Sequence, residues 1–308
     1  MFDTIDLWLD RVNMSGVNPF DILPYLTEKT ELQNERGYSC IGKCLNYAVF
    51  VYERGIRLKG SLAKSFFECG NVGTLTRRAT QSAIEKISDC LHTDIRSAKV
   101  TRLDVSTIIP TKRTPREYYQ FLGTKPHFER FQSTPDTLYY NNHQRQIIFY
   151  DKGIEARKRG MAVHESLQDA NIFRYELRIL NRVNKQLKAD VTAQTLYNEV
   201  FYQSIVRRWH DEFIDIQKLK NRNFMIDDIA TLKVAKETLF THLLQQSGQG
   251  VIDEFVNELK AQKKFNSRSD YTKLKSDLNK MLVAKNGNKN DLMQELEIAV
   301  YNVAKYAR

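Results

Sequence analysis

Several signatures that would define a class of protein are missing from this sequence of 308 residues. No apolar run approaches the roughly 20 residues that a membrane-spanning helix needs, so no such helix is expected. A glycine-rich phosphate loop of the Walker A type is absent, which excludes the P-loop nucleotide hydrolases. Neither Ser-His-Asp spacing nor a His-Glu-x-x-His motif occurs, which argues against serine hydrolases and zinc proteases.

Cysteine and histidine are scarce, and neither is spaced like a set of metal ligands. No Cys-x-x-Cys pair occurs, and no histidine lies at ligand spacing, so a zinc site is not expected. We predict reduced thiols in an intracellular protein, at Cys40, Cys44, Cys69 and Cys90. The acidic N-terminal segment has no basic region, so no signal peptide is expected. Of the six isolated histidines, only His143 lies next to a strand with candidate tyrosines.

The sequence does have an excess of positive charge, and the excess is concentrated in one stretch. The net charge is +10, and residues 95–160 contain 13 basic and 6 acidic residues. The same stretch is rich in aromatic residues, namely Tyr118, Tyr119, Phe121, Phe128, Phe131, Tyr139, Tyr140, Phe149 and Tyr150. Cations that track phosphates and rings that stack on unpaired bases are typical of a nucleic-acid groove. The alternative is a solvated basic surface over a sheet with an aromatic core.

The periodicity of apolar residues changes along the chain and predicts two parts. Up to about residue 190, alternating and β-branched segments predict strands, together with a helix at about 75–92 and a short helix opened by Thr114 and Pro115. The predicted strands cover 5–9, runs within 38–60, 99–110, 137–140, 146–150 and 171–179. From about residue 192 the pattern is helical almost throughout. We therefore predict an α+β fold, with an antiparallel sheet and flanking helices in residues 1–190 and an all-helical region in residues 191–308.

Charged side chains alternate along two of the predicted strands. Because side chains two residues apart on a strand point the same way, Arg102 shares a face with Asp104. By the same spacing, one face of the strand at 171–179 carries Arg174, Glu176 and Arg178. Its opposite face is apolar and aromatic, as expected for a strand that covers a core.

Three carboxylates are expected to converge near these strands. Asp104 and Glu176 lie on two strands, and Glu155 comes just after a third. Carboxylate oxygens are hard ligands that suit Mg²⁺ or Mn²⁺, so we predict a metal site at these three residues. The alternative is a set of ordinary cross-strand salt bridges on a solvated face, for example between Arg102 and Glu176.

A tyrosine beside such a metal could attack a phosphodiester. Its ordinary pKa of about 10 makes it a poor nucleophile at neutral pH, so a nearby metal or lysine would be needed. The basic run that follows the candidate site is either a solvated loop or a phosphate contact. The candidate DNA-binding residues are Arg102, Arg145, Arg157, Lys158 and Arg159.

An ordered set of short segments resembles a known family. The segments are Met1–Ile5, Gly60–Lys64, Thr101–Val105, Asp136–Tyr140, Phe149–Glu155 and Phe173–Arg178. In their order and spacing they resemble the gene II/gene X type of phage and plasmid rolling-circle replication initiators, with kinship to Rep-trans plasmid initiators. The sequence lacks the His-hydrophobic-His pair of the wider class, which fits the Rep-trans branch better.

The resemblance implies an enzyme that nicks a double-stranded origin, becomes linked to the 5′ phosphate through a tyrosine, and later rejoins the strand. It implies Tyr150 as the nucleophile, with Tyr139 and Tyr140 as rivals or as a second tyrosine for the closing step. Lys152 would lower the pKa of the phenol or hold the scissile phosphate, and Arg174 or Arg178 would stabilise the developing charge. The metal ligands would be Asp104, Glu155 and Glu176.

The resemblance also implies the partners and the location. Residues 1–190 would form the nicking and joining domain, and the helical region would bind DNA, form dimers or contact partners. Expected partners are origin DNA in double- and single-stranded form, a host helicase and polymerase, and a second copy in a homodimer. The location would be the cytoplasm of a bacterial host, with no membrane contact. The alternative function is a non-enzymatic, sequence-specific DNA-binding regulator of a phage or plasmid.

Overall fold

The computed structural model of the protein describes residues 1–34, 37–67, 74–160, 170–219, 231–247, 249–283 and 291–307. Contacts between residues divide the chain into two units. The first contains Met1–Gln217 and Glu295–Arg308, and the second contains Lys218–Gln294. Cys69 and His164, which the sequence analysis named or counted, lie outside the described residues.

An antiparallel sheet of ten strands forms the centre of the first unit. The strands are β1 (Phe2–Asp10), β2 (Thr27–Asn34), β3 (Gly37–Cys44), β4 (Tyr47–Tyr52), β5 (Gly55–Ser61), β6 (Lys99–Thr111), β7 (Glu129–Thr134), β8 (Thr137–Asn141), β9 (Arg145–Asp151) and β10 (Asn171–Ile179). Their order across the sheet is β2-β3-β4-β5-β1-β6-β10-β9-β8-β7. The N-terminal strand therefore lies in the middle, between β5 and β6.

The helices of the first unit are α1 (Leu62–Phe67), α2 (Arg77–Leu91), α3 (Pro115–Tyr119), α4 (Lys152–Lys158), α5 (Val183–Leu187), α6 (Glu199–Ile214) and most of α10 (Asp291–Tyr306). The predicted mixture of an antiparallel sheet with flanking helices and further C-terminal helices is confirmed. The capping signals are also confirmed at α3, where Thr114 and Glu117 form a capping box on either side of Pro115.

One face of the sheet is covered by helices, and we call it the helix-covered face. On β10 it presents Phe173, Tyr175, Leu177 and Ile179, which are all buried. The ring of Trp209 on α6 stacks on Tyr175 at a centroid distance of 4.5 Å, and the Tyr175 hydroxyl donates to the Trp209 carbonyl. This packing places α6 in the first unit.

The opposite face carries the charged side chains of β6 and β10, and we call it the polar face. Its existence follows from the period of two along each strand, which sends Arg174, Glu176 and Arg178 away from the aromatic core. Side chains of β1, β5, β8 and β9 extend the same face on both sides of this centre.

The contact division differs from the predicted domain boundary near residue 190. The reason is that two helices of the predicted C-terminal region belong to the first unit: α6 packs on the sheet, and α10 from Glu295 onward contacts Lys112 and Tyr118. α6 buries Trp209 and Phe213, and α10 buries Leu296 and Val300. Glu295 at the start of this helical segment accepts hydrogen bonds from the Lys112 amide at 2.8 Å and the Tyr118 hydroxyl at 3.0 Å.

The second unit is helical and has its own small core. It contains α7 (Leu232–Ser247), α8 (Gln249–Ala261) and α9 (Arg268–Val283). The buried residues of this core are Leu244, Ile252, Val256, Tyr271 and Leu278. In the described part of the chain, no helix is long and apolar enough to cross a membrane. Three of the four cysteines, Cys40, Cys44 and Cys90, are free thiols, as predicted.

Candidate active site on the polar face

Tyr150 lies on the polar face beside a buried arginine. It occupies β9 directly opposite Arg174 of β10, and the guanidinium carbon of Arg174 lies 5.9 Å from the centroid of the Tyr150 ring. Burial raises the pKa of the Tyr150 phenol, and the positive charge of Arg174 acts in the opposite direction. Arg174 is therefore the cation in this site that favours the phenolate form of Tyr150.

Arg174 is held in place by residues that are distant in sequence. Its guanidinium forms an ion pair with Asp3 of β1 and donates to the Ser106 hydroxyl at 2.7 Å. Burial by itself lowers the pKa of Arg174, but Tyr150 and Asp3 raise it above the ordinary value. Arg174 therefore remains a cation even though its side chain is buried.

Asp3 is a site residue that sequence reasoning did not select. It accepts a hydrogen bond from the Ser61 hydroxyl at 2.6 Å in addition to its ion pair with Arg174. The register of β1 against β6 shifts between Phe2 and Ile5, next to Asp3. Two signals in the sequence point to it: an acidic residue in a strand that is otherwise apolar at alternate positions, and its place within the segment Met1–Ile5.

The helix α4 brings a lysine and a glutamate to the same end of the polar face. Asp151 ends β9 and caps α4, because its side chain accepts from the Ile154 amide at 2.9 Å. Lys152 is buried and donates to Glu155 at 2.5 Å. Burial, and then the charge of Arg174, lower the pKa of Lys152, while Glu155 opposes this effect.

A row of ion pairs extends from this end along β10 and β6. Arg102 binds Asp104 through two hydrogen bonds of 2.7 and 3.0 Å, and Arg178 binds Glu176 at 2.8 Å. Arg178 also lies 3.6 Å from Asp104, which links the two strands. The strand-crossing pair is therefore Arg178 with Asp104, rather than the pair of Arg102 with Glu176 considered above.

The acids of this row are deeper than the arginines. The side chains of Asp104 and Glu176 are 1% and 3% exposed, whereas those of Arg102 and Arg178 are 30% and 29% exposed. Burial raises the pKa of Asp104 to about 7, although the hydrogen bonds from Arg102 oppose the change. The salt bridges considered as the alternative are thus present, but their acids are buried, so a ligand on the polar face meets guanidinium groups first.

The three predicted metal ligands do not form a ligand cluster in this arrangement. Among the described residues, no group of three or more histidine, cysteine, aspartate or glutamate side chains is placed to hold a metal ion. Asp104 and Glu176 are bound by arginines, and Glu155 is bound by Lys152. These residues do not fit a divalent ion unless their basic partners move, so no step below is assigned to a metal. The metal requirement stays a prediction.

The two rival tyrosines lie on different faces. Tyr139 is half-buried on the polar face, where its ring stacks on Phe131 at 4.9 Å. Thr137 of β8 is the register partner of Tyr150, so Tyr139 is its diagonal neighbour at about 7 Å between Cβ atoms. Tyr140 is buried on the helix-covered face, its hydroxyl donates to the Gly123 carbonyl at 2.7 Å, and burial raises its pKa to about 12. Only Tyr139 therefore shares a face with Tyr150.

The predicted DNA-binding residues also separate by location. Arg102 is in the ion-pair row, and the exposed Arg157, Lys158 and Arg159 lie at the end of α4. Arg145 is an ion-pair partner of Glu212 on α6 and lies over the Phe128 ring, so it serves the helix-covered face. The exposed His143 is in the turn between β8 and β9, at the end of β9 that is remote from Tyr150.

Comparison with known proteins gives a family match. The family described as the N-terminal part of the gene II-type replication-associated protein matches residues 43–209, which is more than half of the chain. The matched region contains every candidate site residue from the sequence analysis, whereas Asp3 lies before it. No curated protein sequence matches the chain. The family match confirms the resemblance to gene II-type replication initiators, and the chain belongs to this family of phage replication-associated proteins.

Proposed function

We propose that the protein initiates rolling-circle replication by nicking and rejoining one strand of origin DNA through a covalent link between Tyr150 and a 5′ phosphate. The family suggests a replication initiator, and the observation that carries the chemistry is the pairing of Tyr150 with the buried cation Arg174. A tyrosine opposite a fixed positive charge has the composition of a phosphoryl-transfer site.

The proposed reaction exchanges one phosphoester bond for another. The Tyr150 oxygen bonds to the scissile phosphorus, the bond from phosphorus to the 3′ oxygen breaks, and the phenolic proton passes to that 3′ oxygen. Arg174 stabilises the negative charge that develops on the phenol and on the phosphoryl oxygens. Lys152 is our candidate for relaying the proton, because it is buried at the same end of the polar face and because burial and Arg174 lower its pKa. Rejoining is the reverse reaction, with a 3′ hydroxyl as the attacking group.

The first test is to identify the linked residue. Labelled single-stranded origin DNA is incubated with the full chain in EDTA, Mg²⁺ or Mn²⁺, and denaturing gels followed by mass spectrometry locate the adduct. We expect an adduct on Tyr150, and a loss of at least about 100-fold in its rate for Tyr150→Phe. Tyr139→Phe is the matched control on the same face and keeps the adduct.

The outcomes separate the competing interpretations. An adduct that persists in Tyr150→Phe and disappears in Tyr139→Phe assigns the reaction to Tyr139. Sequence-specific binding without an adduct in EDTA, Mg²⁺ or Mn²⁺ supports the non-enzymatic regulator instead. Comparison of EDTA with Mg²⁺ and Mn²⁺ in the same experiment tests the predicted metal requirement. Contacts with a helicase, a polymerase or a second copy are further proposals that the family suggests.

A further inference from the structure

A second feature of the polar face lies at the opposite corner of the sheet from Tyr150. Strands β1, β3, β4 and β5 form a groove of about 620 Å³. We call it the aromatic groove, and its principal lining residues are Trp8, Ile41, Phe50, Tyr52, Arg54 and Arg57. The proposed reaction uses none of these residues.

The register of the strands explains why these side chains meet. Ile41 pairs with Phe50, Phe50 pairs with Arg57, and Arg57 pairs with Trp8, so the four form one row across four neighbouring strands. Tyr52 is two residues beyond Phe50 and therefore shares its face. Its ring lies 6.2 Å from that of Trp8 and is 37% exposed. The groove thus has a floor of aromatic rings that remain accessible.

Three cations lie beside this aromatic floor, and the exposed Glu53 is the acid in its lining. The Lys59 ammonium lies 5.5 Å from the centroid of the Phe50 ring. The Arg57 side chain is 41% exposed and forms an ion pair of 3.3 Å with Asp6. Arg54 is exposed in the turn between β4 and β5. Rings that can stack on bases, together with cations that can contact phosphates, match the chemistry of single-stranded nucleic acid.

The polar face connects the groove with Tyr150. The arginines Arg57, Arg102, Arg178 and Arg174 occupy β5, β6 and β10 in a diagonal band from one to the other. Trp8 pairs with Lys99 at one end of β6, and Arg174 pairs with Ile108 near the other end. From strand spacing and rise per residue, the separation of Trp8 from Tyr150 is roughly 30 Å.

We propose that the aromatic groove binds unpaired bases of single-stranded DNA that extends from the nicking site along the arginine band. Bases stack on Trp8, Phe50 and Tyr52, and phosphates contact Arg57, Lys59 and Arg54. The inference deepens the proposed function, because it assigns a second contact for the same substrate. Base binding in the groove can be tested separately from nicking, since stacking needs neither cleavage nor Tyr150.

Tryptophan fluorescence can test the groove directly. The chain has two tryptophans: Trp8 is half-buried in the groove, and Trp209 is fully buried in the core of the first unit. Titration of the full chain with oligothymidylate of about 20 nucleotides, in EDTA, is expected to quench the fluorescence in a saturable manner. Trp8→Phe keeps a ring in the groove but leaves only Trp209, so the quenching should disappear while binding persists.

Binding measured by anisotropy of the labelled oligonucleotide gives the second readout. Tyr52→Ala is expected to raise the dissociation constant by roughly 5- to 100-fold, and Tyr52→Phe is expected to restore it. Tyr25→Ala is the matched control, because Tyr25 is 43% exposed and stacks on His92 outside the groove. It should bind as the unmodified chain does.

Each result decides between the alternatives. Unchanged fluorescence on saturation with the oligonucleotide, together with normal binding by Tyr52→Ala, overturns the groove. Quenching by a duplex hairpin but not by the single strand also overturns it. Tyr150→Phe should retain the quenching. If the adduct is missing while quenching is present, the proposed nicking reaction is contradicted and base binding in the aromatic groove is supported. If the adduct forms without quenching and Tyr52→Ala binds normally, the groove alone fails.

Discussion

Arg174 connects more of the candidate site than any other single residue described above. It faces Tyr150, pairs with Asp3 and donates to Ser106, although these partners come from three other strands. The alternation of side chains along β10 predicts the face on which Arg174 lies. Its main partner, Asp3, is 171 residues away in the chain. Periodicity predicts the face of a side chain, whereas long-range pairing of strands decides its partner.

Arg174→Gln tests the electrostatic role of the arginine. The variant removes the charge that lowers the pKa of Tyr150 against the effect of burial, so this pKa should rise. With saturating DNA, adduct formation should be slower, and its rise with pH should move to higher pH. A pH-rate profile of Tyr150 adduct formation measures the shift. Arg207→Gln, at an exposed position on α6, is the control and should keep the profile.

The same variant is expected to be less stable. Removing the cation that pairs with buried Asp3 costs about 3 to 5 kcal/mol in the free energy of unfolding. The pH profile is therefore read only at temperatures where the variant is folded by circular dichroism. A profile that keeps its position in folded Arg174→Gln would show that the arginine acts in structure alone.

The contribution of Asp104 to the free energy of unfolding is expected to depend on pH. Burial is the main cause that raises its pKa to about 7, above the value near 3.9 expected in the unfolded chain. The folded state therefore binds this proton more tightly. The contribution to stability is complete below about pH 4 and is lost as the pH rises to about 7. It amounts to at most about 4 kcal/mol.

Urea denaturation of the protein and of Asp104→Asn between about pH 4 and 8 measures this contribution. The neutral amide cannot titrate, so the free energy of unfolding of the variant should decline less over this range. The comparison reports Asp104 together with its coupling to Glu176, Arg102 and Arg178, and it cancels the distant titrating groups. Equal declines in both proteins between pH 4 and 7 would contradict the raised pKa.

At the scale of elements, the sequence predicted the buried strands and missed the edges. β6, β9 and β10 alternate between apolar and polar residues because one of their faces covers a core. The outermost strands, β2 and β7, have no such pattern: their sequences are TEKTELQN and ERFQST, and their side chains are largely exposed. An edge strand forms through pairing with its neighbour, and this pairing leaves little periodicity to detect.

The helix α6 shows why the predicted boundary near 190 differs from the contact division. Its apolar stripe is equally consistent with a helical bundle and with packing against a sheet. The sequence pattern gives the width of the stripe but not the surface that it covers. In the structure that surface is the aromatic side of β10 and β9, through Tyr175 and Phe149.

The cap of the short helix α4 is expected to affect both the stability of the protein and the candidate site. Asp151 caps α4, and the two residues that reach the site from this helix are Lys152 and Glu155. Asp151→Ala should lower stability by about 1 kcal/mol and should also slow adduct formation, because Lys152 loses its fixed position. Thr76→Ala removes the equivalent cap of α2, whose side chain accepts from the Ala79 amide at 3.2 Å. It should lower stability similarly with the adduct rate unchanged.

Thermal unfolding and single-turnover adduct assays on both variants provide the comparison. Equal effects of the two caps on adduct formation would mean that α4 contributes only to general stability. A loss restricted to Asp151→Ala would assign the positioning of Lys152 to this cap.

At the scale of the whole molecule, the structure divides the basic residues of 95–160 into two groups. Lys125 and Arg145 bind Glu212 of α6, and Arg130 donates to the backbone carbonyls of Leu122 and Tyr119. These cations stabilise the fold on the helix-covered side. Composition counts all cations equally, so the sequence alone could not separate them from those available to DNA.

Of the exposed basic residues, Arg157, Lys158 and Arg159 form one group at the end of α4, directly after the candidate site, whereas Arg96, Lys99, Lys112, Arg113 and Arg116 are exposed elsewhere. If this group contacts the phosphates of the bound strand, its charges contribute to the release of counterions on binding. For single-stranded DNA, each lost phosphate contact should reduce the slope of log K against log salt by about 0.7.

Replacing all three residues of this group with glutamine should therefore reduce the salt slope for a single-stranded oligonucleotide by about 2. The matched control is a triple substitution in the second unit, where Lys260, Lys263 and Lys264 are also exposed. It removes the same formal charge, so a smaller change in slope distinguishes local phosphate contacts from net charge. Binding isotherms at four salt concentrations measure both slopes. Equal slopes for the two triple variants would mean that the single strand responds to the total charge of the protein, and the phosphate path past α4 would be wrong.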